Sequence, residues 1–149
     1  MVKVLMVCMG NICRSPLAEG ILKSKVDDKD IFVDSAGTGG WHIGELPDDR
    51  SIQIAEVHQI DITGQRCRKF SINDFDEFDR IYVMDSSNYR DVMALARDDN
   101  DERKVEMILN TTHPGSQKDV PDPYYGGENG FKQVFEMLDE ACEAIAKDL

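Results

Sequence analysis

Residues 2–16 read VKVLMVCMGNICRSP, and this stretch gives the strongest indication of the fold. Residues 2–7 form a nearly continuous apolar run, which is typical of a strand buried on both faces of a parallel sheet. Apolar side chains then recur on one helix face, at Leu17, Ala18, Ile21 and Leu22. We expect Ser15 to cap this helix and Pro16 to occupy its first turn. The segment therefore predicts a strand, a loop and a helix in succession.

The rest of the chain continues the alternation of strands and helices. Further strands are predicted at residues 31–35, 80–84 and 104–109. Further helices are predicted at residues 49–57, 86–96 and 131–145. Such alternation indicates an α/β fold, a three-layer sandwich in which a four-stranded parallel sheet carries helices on both faces. Ligands of such sheets bind beyond the carboxyl ends of the strands, where the loop at residues 8–15 falls.

Length and charge limit the classes of function. The 149 residues predict a single domain over residues 1–149. The 17 basic and 29 acidic residues give a net charge of −12, which argues against nucleic-acid partners and anionic membranes. We find neither a signal peptide nor an apolar run of about 18 residues, so we expect a cytoplasmic protein without membrane insertion. We expect its four cysteines to be reduced and the chain to be a monomer or weak dimer.

The loop after the first strand combines residues that suit an anion site. A helix N-terminus and a curled loop present free N–H groups, and Gly10 and Asn11 tolerate the backbone angles that such a curl needs. Arg14 offers a planar fork that can hold two phosphate oxygens. Cys8 would lie at the bottom of the pocket, where these donors favour its thiolate. Ser15 could donate to that thiolate.

Two plainer interpretations of Cys8 stay open on these residues alone. It could be a small core side chain at a strand end. It could also form half of a zinc site with Cys13, but a structural zinc site needs four ligands, and Cys67 and Cys142 form no second close pair. We therefore expect no metal.

The chain resembles the low-molecular-weight protein tyrosine phosphatases, whose signature is a cysteine, five residues and Arg-Ser at the extreme N-terminus. Four segments carry the resemblance in the right order, at residues 7–19, 34–44, 74–88 and 122–126. The resemblance implies the phosphotyrosine protein phosphatase I-like fold. It also implies hydrolysis of phosphotyrosine and aryl phosphate monoesters through a cysteinyl-phosphate intermediate, without a cofactor.

The resemblance also assigns roles at the catalytic centre. Cys8 would be the nucleophile, with Arg14 and Ser15 as catalytic partners. The rest of the loop would bind phosphate, at Met9, Gly10, Asn11, Ile12 and Cys13. Asp122 would protonate the leaving oxygen and then activate water. It lies between two prolines that stiffen the backbone, although an aspartate next to proline is also common in ordinary turns.

Aromatic side chains are expected to form the substrate rim. Trp41, Tyr124 and Tyr125 would enclose a planar phenyl ring and make the pocket too deep for phosphoserine. Alternatively, Trp41 anchors a surface loop and the tyrosines pack on the last helix. In this family an aliphatic residue at Ile12 accompanies phosphotyrosine activity, while threonine marks an arginine-phosphatase branch. Ile12 therefore favours phosphotyrosine-containing proteins as substrates.

Supporting roles follow from the same resemblance. Asn11 and Ser35 would hold the phosphate loop, with Gln65 at the position where vertebrate members have a histidine. Cys13 would form a reversible disulfide with Cys8 under oxidation, unless it is merely small and buried. No role is predicted for His42, His58 and His113. The acidic residues 98–102 are expected to form a solvated loop.

Two rival functions remain. A thioredoxin-coupled arsenate reductase shares the fold but needs two further cysteines a few residues apart, and Cys67 and Cys142 lie far apart. A non-catalytic phosphotyrosine-binding module would not need the set formed by Cys8, Arg14 and Asp122.

Overall fold

The computed structural model describes residues 1–123 and 127–149, without the side chains of residues 127 and 128. The strands of this part of the chain are β1 Val2–Cys8, β2 Ile31–Gly37, β3 Arg80–Val83 and β4 Val105–Met107. The helices are α1 Arg14–Lys25, α2 Asp49–Val57, α3 Asn73–Glu77, α4 Ser86–Met93, α5 Asp99–Lys104 and α6 Gly127–Asp148. A short 3₁₀ helix, Ile108–Thr111, follows β4.

The strands form a parallel sheet in the order β2-β1-β3-β4. Side chains alternate along β1, so that Val4 and Met6 join a core with α1 and α6, while Leu5 and Val7 join a second core with Val92 of α4. The sheet therefore carries helices on both faces, and the predicted fold class is confirmed.

The second strand is longer than the sequence predicts. β2 continues to Gly37, and Cys8 at the end of β1 pairs with Gly37 in the register. A Cβ atom at Gly37 would lie 2.8 Å from the Met9 carbonyl oxygen. The glycine thus lets β2 approach the loop that follows β1.

The expectation that Ser15 caps α1 is wrong. The helix begins at Arg14, and its N-cap residue, Cys13, makes no side-chain capping hydrogen bond. Ser15 lies inside the first turn, fully buried, and its hydroxyl contacts the sulfur of Cys8 instead. The helix therefore begins two residues earlier than expected.

The acidic residues 98–102 are exposed except for Asp101, as expected, but they form the start of a helix and not a loop. Asp98 caps α5 by accepting from the N–H of Asp101. Asp101 is buried and pairs with Arg97 at 2.9 Å. Acidic side chains in a first helical turn are stabilised by the helix dipole, which favours a helix over a loop here.

Other boundaries differ by a few residues. The fourth strand ends at Met107, where the chain turns into the 3₁₀ helix, and α6 begins at Gly127 rather than residue 131. The predicted α2 coincides with Asp49–Val57. None of the helices in the described part of the chain is long and apolar enough to cross a membrane.

Candidate active site

A cleft of about 300 Å³ opens beyond the carboxyl end of β1, as expected for a parallel sheet. It brings together residues from both ends of the chain: Cys8, Met9, Gly10, Ile12, Cys13, Arg14, Trp41, His42 and Asp122. Tyr124 and Tyr125, predicted for the rim, lie outside the described residues.

Cys8 lies at the base of this cleft, with only 2% of its surface exposed. The backbone N–H of Asn11 donates to its sulfur at 3.3 Å, and the Ser15 hydroxyl lies 2.9 Å from the same atom. Asn11 adopts a positive φ of 56°, a conformation that asparagine tolerates better than most residues. This curl turns the loop back over the sulfur.

The side chain of Asn11 fixes the direction of the hydrogen bonds behind the loop. Its Oδ1 accepts from the backbone N–H of Arg68 at 3.0 Å, so its amide group faces the other way. There it donates to Ser15 Oγ at 2.8 Å and to Ser35 Oγ at 3.0 Å. Because Ser15 accepts this bond, its own hydrogen is available for Cys8.

The hydrogen bonds behind the loop extend through Ser35 to Glu19, a residue for which no role was predicted from the sequence. Ser35 Oγ donates to Glu19 Oε1 at 2.7 Å. Ser15 and Glu19 are four residues apart in α1 and so share one helix face, which is a signal that could have found Glu19.

Gln65 makes a different contact from the predicted one. Its Nε2 donates to the carbonyl of Pro16 at 3.0 Å, and its buried Oε1 has no hydrogen-bond partner among the described residues. The carboxylate of Glu19, not the amide of Gln65, contacts Ser35, because α1 carries Glu19 directly against β2.

Arg14 is almost fully buried beside Cys8. Its Nη1 donates to Asp85 Oδ2 at 2.7 Å and to the carbonyl of Val120 at 2.9 Å. Burial opposes the charge, but Cys8 and Asp85 outweigh it and raise the pKa of Arg14. Both hydrogen bonds that the described residues make to the guanidinium engage Nη1, so the Nε–Nη2 edge can hold two oxygens of an anion.

Asp122 is half-buried and lines the cleft. Two residues before it, the fully buried Val120 donates its N–H to the carbonyl of Met84 at the end of β3. The carbonyl of Val120 in turn accepts from Arg14. The segment that carries Asp122 is thus held against the anion-binding arginine.

Trp41 and His42 lie on the open side of the cleft. Trp41 is 70% exposed, and its ring occupies the space that a side chain at Gly39 would need. The ring of His42 lies against Gly10, while its Nδ1 is 2.9 Å from Glu45 Oε2. No role was predicted for His42, although its place directly after Trp41 was a signal for the rim.

The other three cysteines are buried free thiols. Burial raises the pKa of Cys13 to about 12 and that of Cys67 to about 11, and the Cys67 thiol donates to the carbonyl of Asn11 at 2.8 Å. Cys13 is therefore a neutral thiol at physiological pH. Its disulfide with Cys8 stays a prediction.

The first strand of the parallel sheet ends in a cysteine, and a curled loop that is anchored by an arginine follows it. This arrangement defines a class of α/β proteins that bind an anion beside a thiol. Within that class, residues 3–149 match the model of the low molecular weight phosphotyrosine protein phosphatase family. The chain belongs to this family.

Individual relatives match over almost their whole length. The low molecular weight phosphotyrosine protein phosphatase of Schizosaccharomyces pombe is 37% identical, over 99% of this chain and 97% of that protein. The crystal structure of a protein tyrosine phosphatase from Entamoeba histolytica superposes with a TM-score of 0.92 at 33% identity, over 99% and 96% of the two chains. The Drosophila arginine phosphatase superposes with a TM-score of 0.89, also at 33% identity, over 99% and 97%.

Proposed function

We propose that this protein hydrolyses phosphotyrosine and other aryl phosphate monoesters in two steps. The observation that carries the proposal is the cleft in which the sulfur of Cys8 lies among the donors of a curled loop, with Arg14 and Asp122 beside it. Arg14 and the backbone N–H groups supply the positive charge for the phosphate, and the proposal includes no cofactor.

In the first step the Cys8 thiolate attacks phosphorus and forms an S–P bond. The bond from phosphorus to the tyrosyl oxygen breaks, and the carboxyl group of Asp122 gives its proton to that oxygen. The Nε–Nη2 edge of Arg14 holds two of the equatorial oxygens.

In the second step the Asp122 carboxylate takes a proton from a water molecule, which attacks phosphorus. The S–P bond breaks and the thiolate of Cys8 leaves with the electron pair. The hydroxyl of Ser15, 2.9 Å from this sulfur, stabilises the leaving thiolate by a hydrogen bond.

The proposal extends to the substrate and its setting. We propose proteins that carry phosphotyrosine as substrates, with Trp41 as one wall for the phenyl ring and Tyr124 and Tyr125 as others. The net charge of −12 supports a preference for basic over acidic flanking sequences. We further propose that residues 1–149 act as one cytoplasmic phosphatase domain, as a monomer or weak dimer.

A second candidate is the hydrolysis of phosphoarginine, which the likeness to the Drosophila arginine phosphatase favours. Ile12 lines the cleft and supports phosphotyrosine instead. Rates on matched peptides with either phosphorylated residue decide between the two.

The substitution Cys8→Ser tests the proposed function. A serine hydroxyl is a far weaker nucleophile than a thiolate, so turnover of p-nitrophenyl phosphate at neutral pH should be abolished. Cys142→Ser is the matched control, because Cys142 is buried against the carbonyl of Ala18 in the α1–α6 core and serine can make the same hydrogen bond. Turnover like that of the wild type in Cys8→Ser would refute the mechanism.

A further inference from the structure

Glu19 is a buried carboxylate that the two-step mechanism does not use. Only 3% of its surface is exposed, although it lies on α1 one turn after Ser15. Its Oε1 accepts from Ser35 Oγ at 2.7 Å, and its Oε2 accepts from Lys23 Nζ at 2.6 Å. A buried carboxylate is costly unless its oxygens are bonded, and here both are.

The hydrogen bonds between Glu19 and the nucleophile diverge from the amide group of Asn11, which donates toward both ends. A carboxylate only accepts, so the single hydrogen of Ser35 is directed at Glu19. Ser35 Oγ then accepts from the amide of Asn11, and the same amide donates to Ser15 Oγ. Ser15 is left with its hydrogen for the sulfur of Cys8.

We infer that Glu19 is a positioning residue for this phosphatase: by taking the hydrogen of Ser35 it leaves Ser35 Oγ as an acceptor for the Asn11 amide, which Arg68 directs at both serines, and so helps to hold the Ser15 hydroxyl as a donor to Cys8. The inference rests on the proposed function, since it concerns the departure of Cys8 in the second step. Glu19 itself contacts neither Cys8 nor the cleft in the described contacts.

The ammonium group of Lys23 favours the ionised form of this carboxylate. Burial raises the pKa of Glu19, and the hydrogen bonds from Lys23 and Ser35 oppose that rise, while the charge of Asp34 adds to it. Were Glu19 protonated, its O–H could donate to Ser35, whose hydrogen would then point toward the Asn11 amide, itself a donor. The ion pair with Lys23 therefore favours the arrangement in which Ser35 donates to Glu19.

Loss of the Glu19 carboxylate should lower kcat more than kcat/KM. The Ser15 hydrogen bond stabilises the thiolate as it leaves phosphorus, which is the second step, while kcat/KM reports events up to the first irreversible step. The phosphate loop itself is held by other hydrogen bonds, since the N–H of Arg68 donates to Asn11 Oδ1 and the thiol of Cys67 donates to the Asn11 carbonyl.

The test compares Glu19→Met with Glu19→Gln. Methionine fills a similar volume without an acceptor oxygen for Ser35, and exchanging a buried ion for an apolar side chain is often tolerated by the fold. Glutamine keeps an acceptor. We expect Glu19→Met to lower kcat on p-nitrophenyl phosphate about tenfold, with a smaller loss in kcat/KM, and Glu19→Gln to stay within about threefold of the wild type.

Ser35→Ala shows whether Glu19 acts through Ser35. This variant alone should lower kcat to the same extent as Glu19→Met, and adding Glu19→Met to it should cost less than about twofold more. Lys25→Met, which removes an exposed ion pair between α1 and α6, is the control and should leave kcat unchanged. Thermal unfolding midpoints check that each variant is folded.

Three results would overturn the inference: a normal kcat in folded Glu19→Met, a normal kcat in Ser35→Ala, or a full tenfold loss when Glu19→Met is added to Ser35→Ala. If Glu19→Met does not fold, Ser35→Ala with Glu19 intact still decides the matter. Failure of the proposed function is a separate result, because the wild type and Lys25→Met would then turn over no substrate.

Discussion

Cys8 and Asp122 line the same cleft although they lie more than a hundred residues apart in the chain. Cys8 is held by β1, and Asp122 by the segment that begins with Val120. Arg14 joins the two, because it lies beside Cys8 and donates to the Val120 carbonyl. The guanidinium of Arg14 and the hydrogen bond from Val120 to Met84 therefore hold the segment of the proposed acid beside the nucleophile.

Asp122→Ala should slow the enzyme most on poor leaving groups. Without a proton donor, phenolate must leave as an anion, so we expect turnover of phenyl phosphate to fall about a hundredfold or more. The loss on p-nitrophenyl phosphate should be smaller, because nitrophenolate needs little protonation. Rates over a series of aryl phosphates measure this. Asp119→Asn, three residues earlier, is the control because asparagine can still accept from the N–H of Ser86, and an equal loss across the series would contradict the acid role.

At the scale of elements, the end of β2 and the first turn of α4 both support the phosphate loop. Gly37 of β2 lies against the loop backbone, and the N–H groups of Thr38 and Gly39 donate to the carbonyls of Cys8 and Met9. Asp85 caps α4 through Oδ1 and holds Arg14 through Oδ2. The loop is thus shaped by its neighbours as well as by its own residues.

Gly37→Ala should damage both stability and activity. The new methyl group would lie 2.8 Å from the carbonyl oxygen of Met9, which is backbone and cannot swing away. We expect a loss of about 1–3 kcal/mol in the free energy of unfolding and about a tenfold loss in kcat/KM. Urea unfolding and steady-state kinetics measure the two effects. Gly64→Ala should change neither, because no described atom beyond the adjacent residues lies within 4 Å of the added methyl, and an equal loss there would show that any added methyl is harmful.

Asp85→Asn should separate the helix cap from the anchoring of Arg14. Asparagine can still accept from the N–H of Asn88, so α4 should keep its cap. Arg14 loses its counter-charge, and we expect kcat/KM to fall about tenfold through weaker phosphate binding. The affinity for inorganic phosphate as a competitive inhibitor provides a second measurement. Asp98→Asn makes the same change at the cap of α5, away from the cleft residues, and should leave both values intact.

At the scale of the whole molecule, the excess of acidic residues is partly offset by arginines that bind several carboxylates. Arg97 contacts Asp76 at 2.7 Å and Asp101 at 2.9 Å. The hydrogen bonds from Arg97 hold the pKa of both carboxyl groups below their ordinary value. These ion pairs therefore connect α3 to α5, and their contribution to the free energy of unfolding depends on pH.

Arg97→Met should lower the thermal unfolding midpoint at neutral pH and have no effect in strong acid. A carboxyl group whose folded pKa is depressed contributes stability above its unfolded pKa of about 3.9, and this contribution disappears as the pH falls through the lower folded pKa. The difference between wild type and variant should therefore be full above about pH 4 and should shrink as the pH falls below that value. Arg103→Met, within α5, should show no such convergence, and a difference independent of pH for Arg97→Met would contradict the ion-pair account.

Much of this molecule could be predicted from local sequence. The parallel sheet, the position of α2 and the loop between Cys8 and Arg14 follow from apolar periodicity and from a motif whose residues are close in the chain. The errors have local causes too. Ser15 suits a helix cap by type, but its hydroxyl lies against the sulfur of Cys8 instead. Residues 98–102 look like a loop by charge, but Asp98 caps a helix and Asp101 pairs with the nearby Arg97.

The class of fold and the chemistry of the phosphate loop follow from the sequence alone. Apolar periodicity and the seven-residue spacing from cysteine to serine both involve residues that are close along the chain. The tertiary structure alone decided which distant groups support that loop. Glu19 contacts Ser35, and Asp85 contacts Arg14, only because the parallel register of β1 with β2 and β3 brings their elements together. Hydrogen bonds depend on distances of a few tenths of an ångström, and those are set by packing rather than by order along the chain.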